Sequence, residues 1–351
     1  MKYGIKVLDS LGTVRMEKRT EMQYNGLQSN GRERMTNMKS ETMRYLWKRL
    51  VLAILTVWVV ITVTFFVMRA VPGGPFLAEK AVSAEAEAAL MEKYGMDRPL
   101  VQQDGTYLRG IVTRLDFGPS LKLRGRQVID VIADGMRTSV RLGLLAAALA
   151  VSCGVVLGAC AALRRGSLAD RITMVLTTAF VSMPSFIMGS LLLAVFAAGL
   201  GLLPANGETA RGQILPVVTL ALYPMAYLTR LTRSSMLEVL GRDYIRTARA
   251  KGVSPPGILF GHALKNALIP VVTYLGPMLA YIVTGSLVVE QILAVPGIGR
   301  AFVGSITGRD YPLIMGTTIV LAVLIVGMNL VSDLLCQAVD PRIRLGAGGR
   351  K

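Results

Sequence analysis

Site chemistry needs ligands, nucleophiles or proton carriers at suitable spacing, and this sequence supplies few. His262 is the only histidine, so a histidine-based metal centre or a catalytic triad is hard to build. Cys153, Cys160 and Cys336 lie in or beside apolar runs without metal-ligand spacing, and read as small buried hydrophobes. No G-x-x-x-x-G-K-[ST] phosphate loop occurs, so nucleotide energy, if used, must be bound on another chain. No metal and no cofactor is expected. Two features remain. One is Glu290, an acid at the end of an apolar run, which reads either as a pathway residue or as a group solvated at the interface. The other is "DYIRTARAKGVSPPGILFGHALKNALIP", residues 243–270, a basic stretch rich in small residues between two greasy segments.

The elements that must hold these pieces follow from the apolar runs. Hydrophobic residues make up 52% of the 351 and charged ones 17%, against about a quarter charged in ordinary soluble domains. A spanning helix needs roughly 20 mainly apolar residues at about 1.5 Å rise each. Six runs lack Asp, Glu, Lys and Arg entirely: 50–68, 142–163, 172–207, 212–229, 266–289 and 311–332. The third is too long for one perpendicular span. Its tail "GLGLLPANG" carries turn formers, so the helix is expected to end near Leu200 and the remainder to form an interfacial turn. An even number of spans puts both termini on one side. Divided at the runs, the side holding the termini carries a net +15 and the other +2 of the total +17. Short loops rich in Lys and Arg stay in the cytoplasm, so the termini are assigned there. A pI near 10.1 thus reflects topology, and no nucleic-acid partner is expected.

The expected protein is all-α and polytopic, with six transmembrane helices. Residues 1–42 form a cytoplasmic extension, polar and mixed in charge, for which disorder is the default; no apolar h-region of a cleavable signal precedes residue 50. Residues 43–70 hold the first span and 71–137 a helical extracytoplasmic loop. Residues 138–345 form a five-span core, and 346–351 a tail. Within the loop, "VPGGPF" reads as a turn, "SAEAEAALMEKYGM" as a helix capped by Ser83, and "RGRQVIDVIADGMRTS" as another amphipathic helix. It reads equally as a helical cap and as a docking surface.

The basic segment can be read residue by residue. From Leu237 to Lys251 the residues favour a helix, with Tyr244, Ile245 and Ala248 on one face and Arg242, Arg246 and Arg249 around it. Gly252 suits the left-handed residue that ends a helix. Ser254 can cap the next helix, with Pro255 in its first turn. The small residues Thr247, Ala248 and Ala250 would let another protein's backbone approach closely. Docking to a partner and lying on anionic lipid account for the pattern equally well, and a DNA-reading helix-turn-helix is disfavoured by its tethering to two spans. Pro184 lies in the third run, while Pro216, Pro224, Pro270 and Pro277 fall in the fourth and fifth, where kinks are expected. "VPGIGR", with Pro296, Gly297 and Gly299, reads as a tight outer turn and candidate gate element.

The same stretch resembles the cytoplasmic coupling motif of ATP-binding-cassette importer permeases: Glu-Ala-Ala, three residues, glycine, nine residues, then Ile-x-Leu-Pro. Here Arg246, Thr247 and Ala248 occupy the triplet, Gly252 the glycine, His262 the isoleucine, Leu264 the leucine and Lys265 the proline. Only Ala248, Gly252 and Leu264 match. The departures are those of the dipeptide, oligopeptide and nickel branch, which the chain also resembles in "MRYLWKRLVLAI", "VPGGPF", "YGMDRPL", "ALRRGSLADR", "SMPSF", "VVEQILAVPGIGR", "RDYPLIMG" and "DPRIR", in order across about residues 43–345. The resemblance implies a type I importer permease with the MetI-like fold in the bacterial inner membrane. Its implied partners are a second homologous permease subunit, two cytosolic ATPases and an extracytoplasmic solute-binding protein. It implies that Asp243, Tyr244, Arg246, Thr247, Ala248, Arg249, Ala250, Lys251 and Gly252 meet an ATPase, within a coupling region of about 237–265. A secondary transporter and a non-transporting scaffold are the rival classes. The scarcity of charges within the spans weighs against the first.

Overall fold

The computed structural model describes residues 43–44, 47–71 and 99–339. The chain divides into two units, Met1–Ile54 with Arg344–Lys351, and Leu55–Ile343. Residues 43–44 and 47–54 of the first are helical, the latter as the start of α1 (Trp47–Ala70); every other described residue belongs to the second. The expected Ser83 helix, the "VPGGPF" turn beyond Val71, the 1–42 extension and the tail lie outside the described residues.

All described regular elements are helical, and the one extended pairing among them is an isolated bridge between Pro119 and Gln127. In order come α2 (Leu100–Arg114), α3 (Val128–Leu163), α4 (Leu168–Ser182) and α5 (Ser185–Leu192), the last continued by a π-helical segment, Leu193–Gly199. Then come α6 (Ile214–Leu240), α7 (Asp243–Ala250), a second π-helical segment (Gly257–Ala263), α8 (Leu264–Ala267), α9 (Ile269–Ile292), α10 (Ile298–Gly308) and α11 (Tyr311–Val339).

Helices α1, α3, α6 and α11 are each long and apolar enough to cross a membrane unbroken. Two further candidates are bent: α4 with Ser185–Gly199 by 109°, and Gly257–Ala267 with the start of α9 by 46°. Counting each bent pair as one span gives six, in register with the six apolar runs. The mean-composition reading hid the first break. Pro184 does not kink a continuous helix: Met183, the residue before it, is extended at φ −93° and ψ 129° and ends α4 at Ser182, while Pro184 takes the cap position of α5 with φ −57° and ψ 140°. Pro216 and Pro270 fall in the first turns of α6 and α9, where a missing N–H is harmless, so only Pro224 and Pro277 interrupt helix interiors.

Two other expectations change. "RGRQVIDVIADGMRTS" is not a separate helix, because residues from Val128 onward belong to α3, whose 36 residues reach about 54 Å, well beyond the ~30 Å hydrocarbon core. The boundary drawn at 137/138 therefore falls inside α3. The helix expected over 237–251 is broken at Gly241–Arg242, where α6 stops and α7 starts.

Three apolar clusters hold the second unit together. One joins Phe65 of α1, Val131 and Ile132 of α3, Ile298 of α10 and Met315 of α11. The central one joins Leu142, Ala146 and Ala150 of α3 to Leu220 and Leu228 of α6 and Met278 and Ile282 of α9. The third, around Met236, Ile245 and Ile258, carries the basic segment. Helices α3 and α6 approach closely: a Cβ on Gly154 would lie 2.8 Å from Leu228 Cβ, and one on Gly158 2.5 Å from the Thr229 carbonyl oxygen. Small residues four apart let two membrane helices meet backbone to backbone, gaining dispersion contact where lipid offers no hydrophobic driving force.

Candidate functional site

The basic segment is built as a short braced knob. Asp243 opens α7 and Arg249 closes it, each on the favourable side of the helix dipole. The turn after it has a complete left-handed cap: Gly252 takes φ +80°, its N–H donates to the Arg249 carbonyl at 3.0 Å, and Val253 N–H donates to the Ala248 carbonyl at 3.2 Å. No heavy atom lies within 4 Å of where a Cβ on Gly252 would be, so conformation rather than space selects glycine there. The next helix begins at Pro255 after Ser254, with Ile258 N–H donating to the Ser254 carbonyl at 2.9 Å. The chain then widens into the π-helical Gly257–Ala263 before α8, a feature common at functional sites. Nothing in the residue pattern had signalled it.

One face of α7 is fixed and the other is free. Ile245 has no exposed surface and sits with Met236, Ile258, Ala263 and Ala267. Ala248 is half-buried against the same cluster. Of the three small residues expected to receive a partner's backbone, Ala248 therefore backs onto this chain's own core, leaving Thr247 and Ala250 exposed. Asp243, Arg246, Arg249, Lys251 and Gly252 are exposed as well. Arg246 reaches Asp243 at 3.7 Å with both side chains in solvent, an ion pair of little energetic weight. Tyr244 is 43% exposed, and its hydroxyl accepts from Asn266 Nδ2 at 3.1 Å, tying α7 to α8.

A second brace was missed by sequence reading. Arg233 of α6 grips Asp170 of α4 with two bonds, Nε to Oδ1 at 2.6 Å and Nη2 to Oδ2 at 2.8 Å. Asp170 also accepts from Gly166 N–H at 2.9 Å, and its own N–H donates to the Ser167 hydroxyl at 3.3 Å. This fork-to-fork geometry is the strong form of an Arg–carboxylate contact. Its members are far apart in sequence, although the charged loop "ALRRGSLADR" and an arginine just past an apolar run were visible.

Glu290 is fully buried, which removes the interfacially solvated alternative. Ser139 Oγ of α3 donates to its Oε1 at 2.7 Å, Gly299 N–H donates to its Oε2 at 2.8 Å, and Ile298 N–H donates to Ser139 Oγ at 3.0 Å. Gly297 and Gly299 meet Glu290 directly, since a Cβ on Gly297 would overlap its carboxylate. Pro296 is exposed in the turn between, and Pro184 lies apart at the α4–α5 break. The structure thus brings Glu290, Gly297 and Gly299 together. Among the described residues no group of three or more His, Cys, Asp or Glu could hold a metal ion.

Comparison with known proteins adds the missing context. The profile described as "Binding-protein-dependent transport system inner membrane component" matches residues 154–345, and its N-terminal companion matches residues 42–124. The "Dipeptide transport system permease protein DppB" of Bacillus subtilis is 46% identical over 307 residues, covering 87% of this chain and 99% of that protein. The "Oligopeptide transport system permease protein OppB" of Haemophilus influenzae is 42% identical over 305 residues, covering 86% and 99%. Among solved structures, an inward-facing MetNI methionine ABC transporter matches with TM-score 0.50 and 20% identity, over 60% of this chain and 97% of that one. An amino acid ABC transporter crystallised with histidines matches with TM-score 0.50 and 15% identity, over 60% and 94%. These two likenesses bear on the fold, which is that of ABC importer permeases. A helical membrane architecture alone serves many ends, but the sequence match runs through the knob, the Asp170 loop and the Glu290 turn alike: the chain belongs to the family of binding-protein-dependent transport system inner membrane components, multi-pass inner-membrane proteins that work with other components of ABC transporters.

Proposed function

We propose that this chain is a permease subunit of an ATP-driven importer of dipeptides or oligopeptides, forming half of the translocation pathway beside a second, homologous permease. Two cytosolic ATPases bind beneath the pair, a solute-binding protein delivers cargo from outside, and both termini lie in the cytoplasm. The observation that carries the reading is the architecture of α7. Its apolar side is locked to α6 and α8 by Ile245, while Arg246, Thr247, Arg249 and Ala250 face outward. A knob fixed to two spans transmits displacement, whereas a free loop would absorb it. Asp243, Tyr244, Lys251 and Gly252 complete the surface that meets the ATPase. The peptide specificity rests on the dipeptide and oligopeptide permeases that the chain resembles, and nickel stays the alternative cargo.

The test is uptake of a labelled dipeptide by the complex reconstituted in vesicles. Gly252→Asp introduces a side chain at φ +80°, costing about 1 kcal/mol of local strain, and places a carboxylate where the ATPase is to dock. Membrane insertion is expected to be normal and ATP-driven uptake to be abolished. Normal uptake would remove the coupling role of this turn. Uptake that survives ATP depletion while an ion gradient is kept would replace the importer with a secondary transporter.

A further inference from the structure

A carboxylate with no exposed surface is costly, and Glu290 is held in that position by donors from two other elements. Its Oε2 accepts from Gly299 N–H at the start of α10, and its Oε1 accepts from Ser139 of α3, whose oxygen in turn receives Ile298 N–H. The first amides of α10 are therefore satisfied by a side chain near the end of α9 and one from α3. The local alternative is absent: the N-cap position is Gly297, extended at φ −103° and ψ 178°, with no side chain to offer. A Ser, Thr or Asp at the N-cap would stabilise α10 wherever the spans stood. A cap supplied from α9 and α3 stabilises it only while those two helices stay together.

The fit is close on every side. A Cβ on Gly135 of α3 would lie 2.8 Å from Ile298 N, and one on Gly299 would lie 2.6 Å from Leu287 Cα of α9. Helix α9 runs from Ile269, directly after α8 and the basic knob, to Ile292, two residues past Glu290. One helix thus has the knob at its first end and the remote cap at its last.

We propose that Glu290 is a positioning residue that, with Ser139, makes the placement of α10 conditional on the arrangement of α3 and α9, so that a span movement started at the knob is passed to α10 at the opposite end of α9. This rests on the transport reading above. When α9 moves away from α3, the shared carboxylate can no longer serve both, and the first turn of α10 is released. In the arrangement described here the latch is closed.

The experiment uses the complete reconstituted transporter with two variants. Glu290→Gln keeps the shape but removes the charge. Glu290→Ala/Ser139→Ala/Gly297→Asp moves the cap from tertiary to local, after deleting both side chains that a Cβ at 297 would strike. For Glu290→Gln, uptake is expected to fall about tenfold or more, the loss of a charge-assisted bond, with complex yield and basal ATP hydrolysis within about twofold of the unmodified protein. For the relocated cap, hydrogen exchange at residues 298–301 is expected to regain protection while uptake stays low. Recovery of uptake with the local cap would reduce Glu290 to a structural cap and overturn the proposal. So would normal uptake by Glu290→Gln, or loss of the assembled complex in that variant. Should the relocated cap fail to assemble, Ser139→Ala replaces it, and unchanged uptake in that variant also overturns the proposal. Failure of the unmodified complex to take up dipeptide refutes the functional reading itself, which separates the two.

Discussion

Truncating Ile245 to alanine should release the knob without dissolving the spans. Helix α7 has eight residues, fewer than the ~12–15 at which isolated helices become even marginal in water, so tertiary contact must hold it. Ile245 is its one fully buried side chain. Three carbons are lost beyond Cβ, and at ~0.8 kcal/mol each the transfer loss is about 2.4 kcal/mol before any cavity term. Measured Ile-to-Ala losses of about 2–5 kcal/mol bracket this, and about 3 kcal/mol is a reasonable centre. That value shifts the docking equilibrium of α7 by roughly a hundredfold. Hydrogen exchange measured on the whole complex should show amides of 243–253 exchanging roughly a hundredfold faster, with those of α3 and α6 unchanged. ATP-driven uptake should fall in step. Unchanged protection at α7 would refute the argument that one side chain anchors the knob. Protection lost equally along α3 and α6 would show that Ile245 supports the membrane core instead.

Other expectations come from the same contacts. Ala250→Trp, on the exposed face of α7, should weaken ATPase co-purification while leaving this chain's own melting midpoint unchanged; Ala248→Trp, which backs onto the Ile245 cluster, should lower that midpoint as well. Equal midpoints for the two variants would contradict the assignment of faces. Breaking the Asp170–Arg233 fork from one side leaves a poorly solvated charge, so Asp170→Asn should lower the melting midpoint more than Asp170→Asn/Arg233→Met does, because the double change removes both charges. A double variant at least as unstable as the single one would show that the pair does not couple α4 to α6.

Much of the architecture was legible because its causes are local in sequence. A hydrocarbon layer about 30 Å thick admits only helices of a given length, so six uncharged runs announced the four unbroken candidate spans and the two bent ones. The left-handed Gly252 turn was equally readable, because a glycine after a helix-forming stretch has few other uses. Tertiary structure decided what the runs could not express. Average hydropathy is blind to one residue's ψ angle, so the 109° break after Ser182 was hidden inside a run whose apolar composition continues on both sides of Pro184.

Side-chain partners were out of reach for the same reason. Asp170 and Arg233 are 63 residues apart, and Ser139 and Glu290 are 151 apart; no periodicity relates them, and only the meeting of α3 with α6 and α9 brings them together. Ala248 shows the limit within one helix, since its spacing placed it beside Ile245 and the third cluster turned that shared face inward. By itself the sequence determined which segments must be helical, how many could cross a bilayer and where the knob ends, because each depends on the chemistry of neighbouring residues along the chain. Which face of the knob is free, and which helices share one buried carboxylate, were decided by packing, since burial and charge pairing are properties of residues that become neighbours only when the chain folds.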